Sequence, residues 1–131
     1  MKISNFDTNL NTYVIAEIGG NHNGNPEIAI ELVEAAAETG ANAVKFQSYK
    51  AESLVHPKQE PLPIVRKHYK TQLIRFKSLE LSDSNYQEII DRCKNLNIDF
   101  LTTPFDLQIL DKFSKNMPAI KIASGDLTYH K

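Results

Sequence analysis

Five polar residues stand at or near the ends of short apolar runs, and their types suit the binding of a phosphate or a carboxylate. Glu17 closes Tyr13 to Glu17 (YVIAE), and Lys45 lies inside Asn42 to Ser48 (NAVKFQS). Thr103 closes Asp99 to Thr103 (DFLTT), and Lys121 lies inside Ala119 to Ala123 (AIKIA), with Ser124 just beyond it. Ammonium groups supply charge, and hydroxyl donors supply direction. Glu17 among these cations could orient a substrate hydroxyl or act as an acid/base. A lysine in mid-strand between apolar neighbours is costly to bury unless an anion meets it. Lys45 is therefore the residue around which the others are expected to gather. The competing reading is a set of buried structural ion pairs.

Histidine and cysteine are the other residue types able to do chemistry. His22 lies in an Asn/Gly-rich loop, where a lone histidine is expected to be a hydrogen-bonded loop residue rather than a ligand or base. His56, His68 and His130 are scattered, and no second His, Cys or carboxylate stands at metal-ligand spacing from His22. Cys93 falls on the apolar stripe Tyr86, Ile89, Ile90, Leu96 and reads as a core thiol.

The elements that must position these groups follow from periodicity. Alternation puts Ala43, Lys45 and Gln47 on one face of a strand and Val44 and Phe46 on the other. It likewise sets Glu17 against Val14 and Ala16, Thr103 against Phe100, and Lys121 against Ile120 and Ile122. Each of the four candidate strands carries a polar group near its C-terminal end, and its other face is apolar enough to receive a helix. That is the wall pattern of a βα barrel, whose chemistry sits at the C-terminal ends of its strands.

The connections agree with this pattern. Residues 1–12 read as a short strand and turn, a hairpin ahead of the first barrel strand. The loop from Ile18 to Asn25 holds three glycines and three asparagines and needs special backbone angles. Asn25 is a natural N-cap, Pro26 suits the first helical position, and Gly40 is a C-terminal stop. Ile28, Ala29, Leu32, Val33 and Ala36 form the predicted buried stripe, and Glu27, Glu31, Glu34 and Glu38 the wet face. A long polar stretch from Tyr49 to about Pro63 precedes Val65, Tyr69, Leu73 and Phe76 at helical spacing. Its cations (Arg66, Lys67, Lys70, Arg75, Lys77) read as a solvated face. Ser82 caps the next helix, and Asp106 a short one holding Leu107, Leu110 and Phe113. The strand–helix–strand order points to parallel strands with right-handed crossovers. An open flavodoxin-like sheet fits the length better than a barrel but accommodates the in-strand lysines badly.

Bulk properties bound the classes. The chain has 131 residues, 41% hydrophobic and 24% charged, with a net charge of -1. This is an ordinary globular composition that offers no global attraction to nucleic acid or to a membrane. One cysteine, no spanning apolar run and no signal-peptide core favour a cytoplasmic location. A full βα barrel needs about 250 residues, so the expectation is the first half of one, in a fragment or truncated reading frame.

Four stretches carry a resemblance to a known family: AEIGGNHNG (Ala16 to Gly24), AVKFQSYKAESL (Ala43 to Leu54), LTTPFD (Leu101 to Asp106) and AIKIASGDL (Ala119 to Leu127). Together they closely resemble the sialic acid synthase family, which includes N-acetylneuraminate, legionaminic and pseudaminic acid synthases and the similar spore-coat polysaccharide proteins. The resemblance implies an α/β fold, with residues 13–131 forming the first four strands of a TIM barrel after the 1–12 hairpin. On this resemblance the second half of the barrel and a C-terminal antifreeze-like domain would lie outside these 131 residues. It implies a transferase of surface carbohydrate biosynthesis that condenses phosphoenolpyruvate with an N-acylated amino-sugar aldehyde, N-acetylmannosamine-like, releasing phosphate. Lys45, Thr103, Lys121 and Ser124 would bind phosphoenolpyruvate, Glu17 would sit near the reacting end of the sugar, and Asn21 and Gln47 would make secondary contacts. It further implies a homodimer when full length. A divalent metal, manganese or magnesium, would polarise the aldehyde from two histidines on later strands, outside this chain. Two alternatives stay open: another phosphoenolpyruvate-condensing 3-deoxy-keto-acid synthase, and a non-catalytic half-barrel that only binds an anion or a partner chain.

Overall fold

The expected hairpin opens the computed structural model of the chain, which describes residues 1–128. β1 (Lys2–Ile3) pairs antiparallel with β2 (Phe6–Asp7). Asp99 ties this hairpin to the sheet: it accepts the Ser4 hydroxyl at 3.0 Å and the Tyr13 hydroxyl at 2.5 Å, while Phe6 meets the Tyr13 ring edge-on. Burial and the bond to Asp99 push the Tyr13 phenol well above its ordinary range.

β3 (Ile15–Gly19) leads through α1 (Pro26–Glu38) to β4 (Ala43–Ser48). The route onward passes α2 (Ala51–Leu54), a 3-10 turn at Pro63–Val65, α3 (Gln72–Ser78) and α4 (Asp83–Asn95). β5 (Asp99–Pro104) and α5 (Leu107–Phe113) follow. The sheet is parallel in the order β3-β4-β5, with Glu17 opposite Lys45 and Gln47 opposite Thr103. α1, α4 and α5 start where their caps dictate. Asn25 accepts the Ile28 N–H, Ser82 and Asn85 form a reciprocal capping box, and Asp106 accepts the Ile109 N–H.

α1 and α4 cover one face of the sheet. Ala29, Val33 and Ala36 from α1 and Tyr86, Ile89, Ile90 and Cys93 from α4 bury themselves with Val44, Phe46 and Phe100. Arg92 joins Glu34 across the two helices. Phe46 is fully buried between the rings of His22, Tyr86 and Phe100 at centroid distances of 6.0, 6.2 and 5.9 Å. Cys93 is a core thiol, which burial pushes up to about 12.

Four sequence expectations need correction. Residues 119–123 form no strand. The outward N–H of Thr102 on the β5 edge, where a fourth strand would pair, donates instead to Met117 Sδ at 3.2 Å, and Ile120 and Ile122 stand 52% and 58% exposed. The helix expected across Val65 to Phe76 is confined to α3. Thr71 is extended and caps Ile74, while the Gln72 N–H reaches back to the Gln59 carbonyl at 2.9 Å. α2 arises within a stretch read as loop. Ile28 lies outside the buried stripe, because burial follows the row of Ala29, Val33 and Ala36 and Ile28 sits ~100° from it around the helix. His130 and the last residues of the 13–131 unit lie outside the described residues. Among the described residues, no helix is long and apolar enough to cross a membrane.

A buried polar pair gives the fold a test. The Ser48 and Thr102 hydroxyls, each on a fully buried residue, share one hydrogen bond of 2.7 Å between β4 and β5. Ser48→Ala strands the Thr102 hydroxyl and is expected to cost about 1–3 kcal/mol in urea unfolding. Ser48→Ala with Thr102→Val removes the unmet group and is expected to recover most of that loss. A double variant as unstable as the single one would contradict this account of the pair.

Candidate functional site

The face of the sheet away from α1 and α4 carries the chemistry, as alternation along three parallel strands requires. Lys45 projects from the middle strand with its side chain only 14% exposed. Its ammonium forms an ion pair with Glu17 Oε2 on one neighbouring strand and donates to Thr103 Oγ1 at 3.5 Å on the other. Thr103 is buried, whereas the Glu17 side chain is 49% exposed. The pair therefore lies between the sheet and open solvent.

One glycine shapes this geometry. The register between β3 and β4 shifts after Glu17, and Gly19 takes φ +54° beside Phe46. A Cβ at Gly19 would lie 3.1 Å from Glu17 Oε1 and 3.7 Å from Gln47 Nε2. The missing side chain thus leaves space beside both the Glu17 carboxylate and the Gln47 amide. The loop signal of Gly19 and Gly20 was legible in the sequence, but this space was not.

The arrangement can receive an anion. An ammonium has three donors; Glu17 and Thr103 take two of those on Lys45. Because Lys45 donates to Thr103 Oγ1, the Thr103 hydroxyl hydrogen points elsewhere and is itself a donor. An anionic oxygen lying between them would meet one N–H and one O–H, and the Glu17 carboxylate would stand beside it as an acceptor.

The structure thus brings Glu17, Lys45, Thr103 and Gln47 together. Three other sequence candidates are placed differently. Asn21 is exposed in the loop after β3, with its N–H bonded to the Ile18 carbonyl. Lys121 is exposed and donates to the carbonyl of Ile122. Ser124 is exposed in the turn that follows. Neither Lys121 nor Ser124 is bonded to the Glu17–Lys45–Thr103 group.

His22 behaves as a loop residue held in the core. It is 2% exposed, its Nδ1 accepts the Gly24 N–H at 3.0 Å, and its ring lies against Phe46. The divalent metal implied by the resemblance finds no ligand set here. Among the described residues no three His, Cys, Asp or Glu side chains cluster, and Glu17 is engaged by Lys45.

Comparison with known proteins adds to this geometry. A family profile described as the NeuB family matches residues 32–131. The chain is 40% identical over 121 residues to the N,N'-diacetyllegionaminic acid synthase of Campylobacter jejuni, covering 89% of this chain and 36% of that protein. It is 35% identical over 117 residues to the N-acetylneuraminate-9-phosphate synthase of Drosophila melanogaster, covering 87% and 32%. Among solved structures, it superposes on the N-acetylneuraminic acid synthetase of Leptospira borgpetersenii, determined with citrate, with a TM-score of 0.73 and 30% identity over 87% of this chain and 36% of that one. A spore coat polysaccharide biosynthesis protein of Bacillus subtilis aligns with a TM-score of 0.61 and 34% identity, covering 86% and 29%. The chain spans about a third of the length of the curated relatives it matches. Its parallel βα units thus match a segment of the larger α/β fold of these solved structures.

The buried imidazole makes stability depend on pH. Burial lowers the His22 pKa below its ordinary 6.5, against a hydrogen bond with the Gly19 backbone that pulls it up. The unfolded chain therefore binds the proton more readily. The stability His22 contributes is fully present above about pH 6.5 and is lost as pH falls from there through its lowered value. Urea unfolding between pH 7.5 and pH 5 should show that loss, and His22→Asn should flatten it. An equal slope in both proteins would remove His22 as its source.

Proposed function

The chain belongs to the NeuB family, and on that premise we propose that it forms part of the substrate-binding wall of a nonulosonic acid synthase. The reaction is the condensation of phosphoenolpyruvate with an N-acylated amino-sugar aldehyde, N-acetylmannosamine-like, to give a sialic-type acid and phosphate. The observation that carries the reading is the inward ammonium of Lys45, held between the Glu17 carboxylate and the Thr103 hydroxyl with one donor left over.

In this reading Lys45 and Thr103 hold an anionic group of phosphoenolpyruvate by charge-assisted hydrogen bonds. The methylene carbon of phosphoenolpyruvate uses the electron pair of its C=C bond to join the aldehyde carbon, whose oxygen takes up a proton. Water adds to the neighbouring carbon, which bears the phosphate, and gives up a proton. Phosphate then leaves with the electron pair of its C–O bond while the new hydroxyl loses its proton to become the keto group. Charge builds on the departing phosphate, and Lys45 is placed to steady it. Glu17, half exposed beside Lys45, is the group placed to move a proton at the sugar's reacting end. Gln47 flanks it, and Asn21 lies on the loop above.

Lys121 and Ser124 complete the phosphoenolpyruvate contacts if residues 119–124 lie along the open edge of β5. That requires the Thr102 N–H to exchange Met117 Sδ for a backbone carbonyl. The metal implied by the resemblance enters none of these steps. Whole-protein properties, including a homodimer and a cytoplasmic location, belong to the same proposal.

The test uses a chimera in which residues 13–131 replace the matching segment of the Campylobacter jejuni relative. Phosphate release from phosphoenolpyruvate is followed with N-acetylated amino-sugar aldehydes. The chimera is expected to turn over, and Glu17→Gln to slow kcat by ~100-fold while sparing the KM for phosphoenolpyruvate. Near-normal turnover in Glu17→Gln would demote the carboxylate to a structural partner of Lys45. Binding of phosphoenolpyruvate without turnover in the unaltered chimera would favour the anion-binding module.

A further inference from the structure

Residues 55–77, the middle of the segment between β4 and α4, match none of the motifs quoted above, yet the segment's stem is closed and its end is seated. At the stem, Glu80 Oε1 accepts the Ala51 N–H at 2.5 Å, and Glu80 Oε2 faces Lys50 Nζ at 3.9 Å. Lys77 pairs with Glu52 across the same opening. The Glu80 side chain is only 18% exposed, so it acts from inside the stem.

α3 sits against the loops that follow β3 and β4, and the loop after β5 reaches it only through Tyr49. After β3, Gly24 lies so close to the end of α3 that an added Cβ would stand 2.2 Å from the Ser78 carbonyl oxygen; its φ is +77°. Gly20 faces Leu79 in the same contact. After β4, Tyr49 meets the Phe76 ring edge-on at 5.4 Å, and after β5, Phe105 meets Tyr49 at 6.1 Å. The loop that bears Gly24 also begins at Gly19, the residue beside Glu17 and Gln47. It is braced between these points by tight turns, with the N–H groups of Asn21, Asn23 and Asn25 bonded to the carbonyls of Ile18, Gly20 and His22.

We propose that Gly24 and Glu80 are positioning residues: together they seat α3 on the C-terminal rim of the sheet, and through the 19–25 loop that seating holds Glu17 and Gln47 at the anion site. Glu80 closes the segment so that α3 arrives at the rim. Gly24 supplies the only side chain, none, that lets the loop after β3 meet the Ser78 carbonyl. The link from Glu17 to catalysis rests on the function proposed above; the mechanical link does not.

The test is amide hydrogen exchange on the full chain with Glu80→Ala, Glu80→Gln and Gly24→Ala. Removing the acceptor of the Ala51 N–H should speed exchange across residues 72–80 by about tenfold. The decisive readout is the Asn21, Asn23 and Asn25 amides, which Glu80 does not touch; these should also speed up in Glu80→Ala, with β4 amides still protected. Glu80→Gln keeps an acceptor oxygen and should restore most of the protection. Gly24→Ala should speed both regions, and if it fails to fold, Glu80→Ala carries the test. Unchanged exchange at residues 21–25 in Glu80→Ala would overturn the proposal. In the chimera, Glu80→Ala should lower kcat and leave the KM for phosphoenolpyruvate within twofold. Unchanged kcat in an active chimera would also overturn it. An inactive unaltered chimera would count against the proposed function alone, because the exchange result still decides the seating.

Discussion

The ammonium of Lys45 has to be met inside a parallel sheet, and the local architecture follows from how that is done. Lys45 is on the middle strand, so both neighbouring strands must bring something to it. β3 brings a carboxylate and β5 a hydroxyl, each fixed by the register of its ladder. A slip of one residue in either strand would turn Glu17 or Thr103 toward the helices. Half of Glu17 remains in solvent, so the ion pair adds little to stability. Its consequence is orientation: a cation held at a defined place, with one donor to spare, on a face the helices leave uncovered.

Much of this was legible because it is local. The alternation in Asn42 to Ser48 put Lys45 and Val44 on opposite faces, and the caps Asn25, Ser82 and Asp106 marked helix starts. Cys93 fell on an apolar stripe and is buried there. What the sequence hid depends on contacts between distant residues. The 119–123 stretch has the alternation of a strand, but Met117 occupies the edge donor it would need. Glu80 reads as one more surface acid, and only the fold reveals its bond to Ala51. Asp99 begins a strand and serves as the tether of the hairpin. Within the site, the lysine and its two partners were readable from parity. The space beside Gly19 required the register shift, which no periodicity announces.

Membership of the family and the geometry of the site bear on different parts of the function. The relatives match along nearly the whole chain, which covers about a third of each of them. The site built from these residues is accordingly one wall, with donors for an anion and a carboxylate beside it. Lys121 and Ser124 lie beyond α5 in a stretch that forms no strand, and their entry into the site depends on a β5 edge whose outward donor is held by a thioether sulfur. A thioether is a weak acceptor, so a backbone carbonyl arriving at that edge would form the stronger bond.

The measurement that bears most directly on the central claim is calorimetric titration of phosphoenolpyruvate into the chimera and its Lys45→Ala variant. Loss of a charge-assisted contact should weaken binding by roughly 2 kcal/mol or more, about thirtyfold in Kd. Thr103→Val should weaken it in the same direction by a smaller factor. Equal affinity in the unaltered protein and in Lys45→Ala would contradict the account, leaving Lys45 as no more than the structural partner of Glu17.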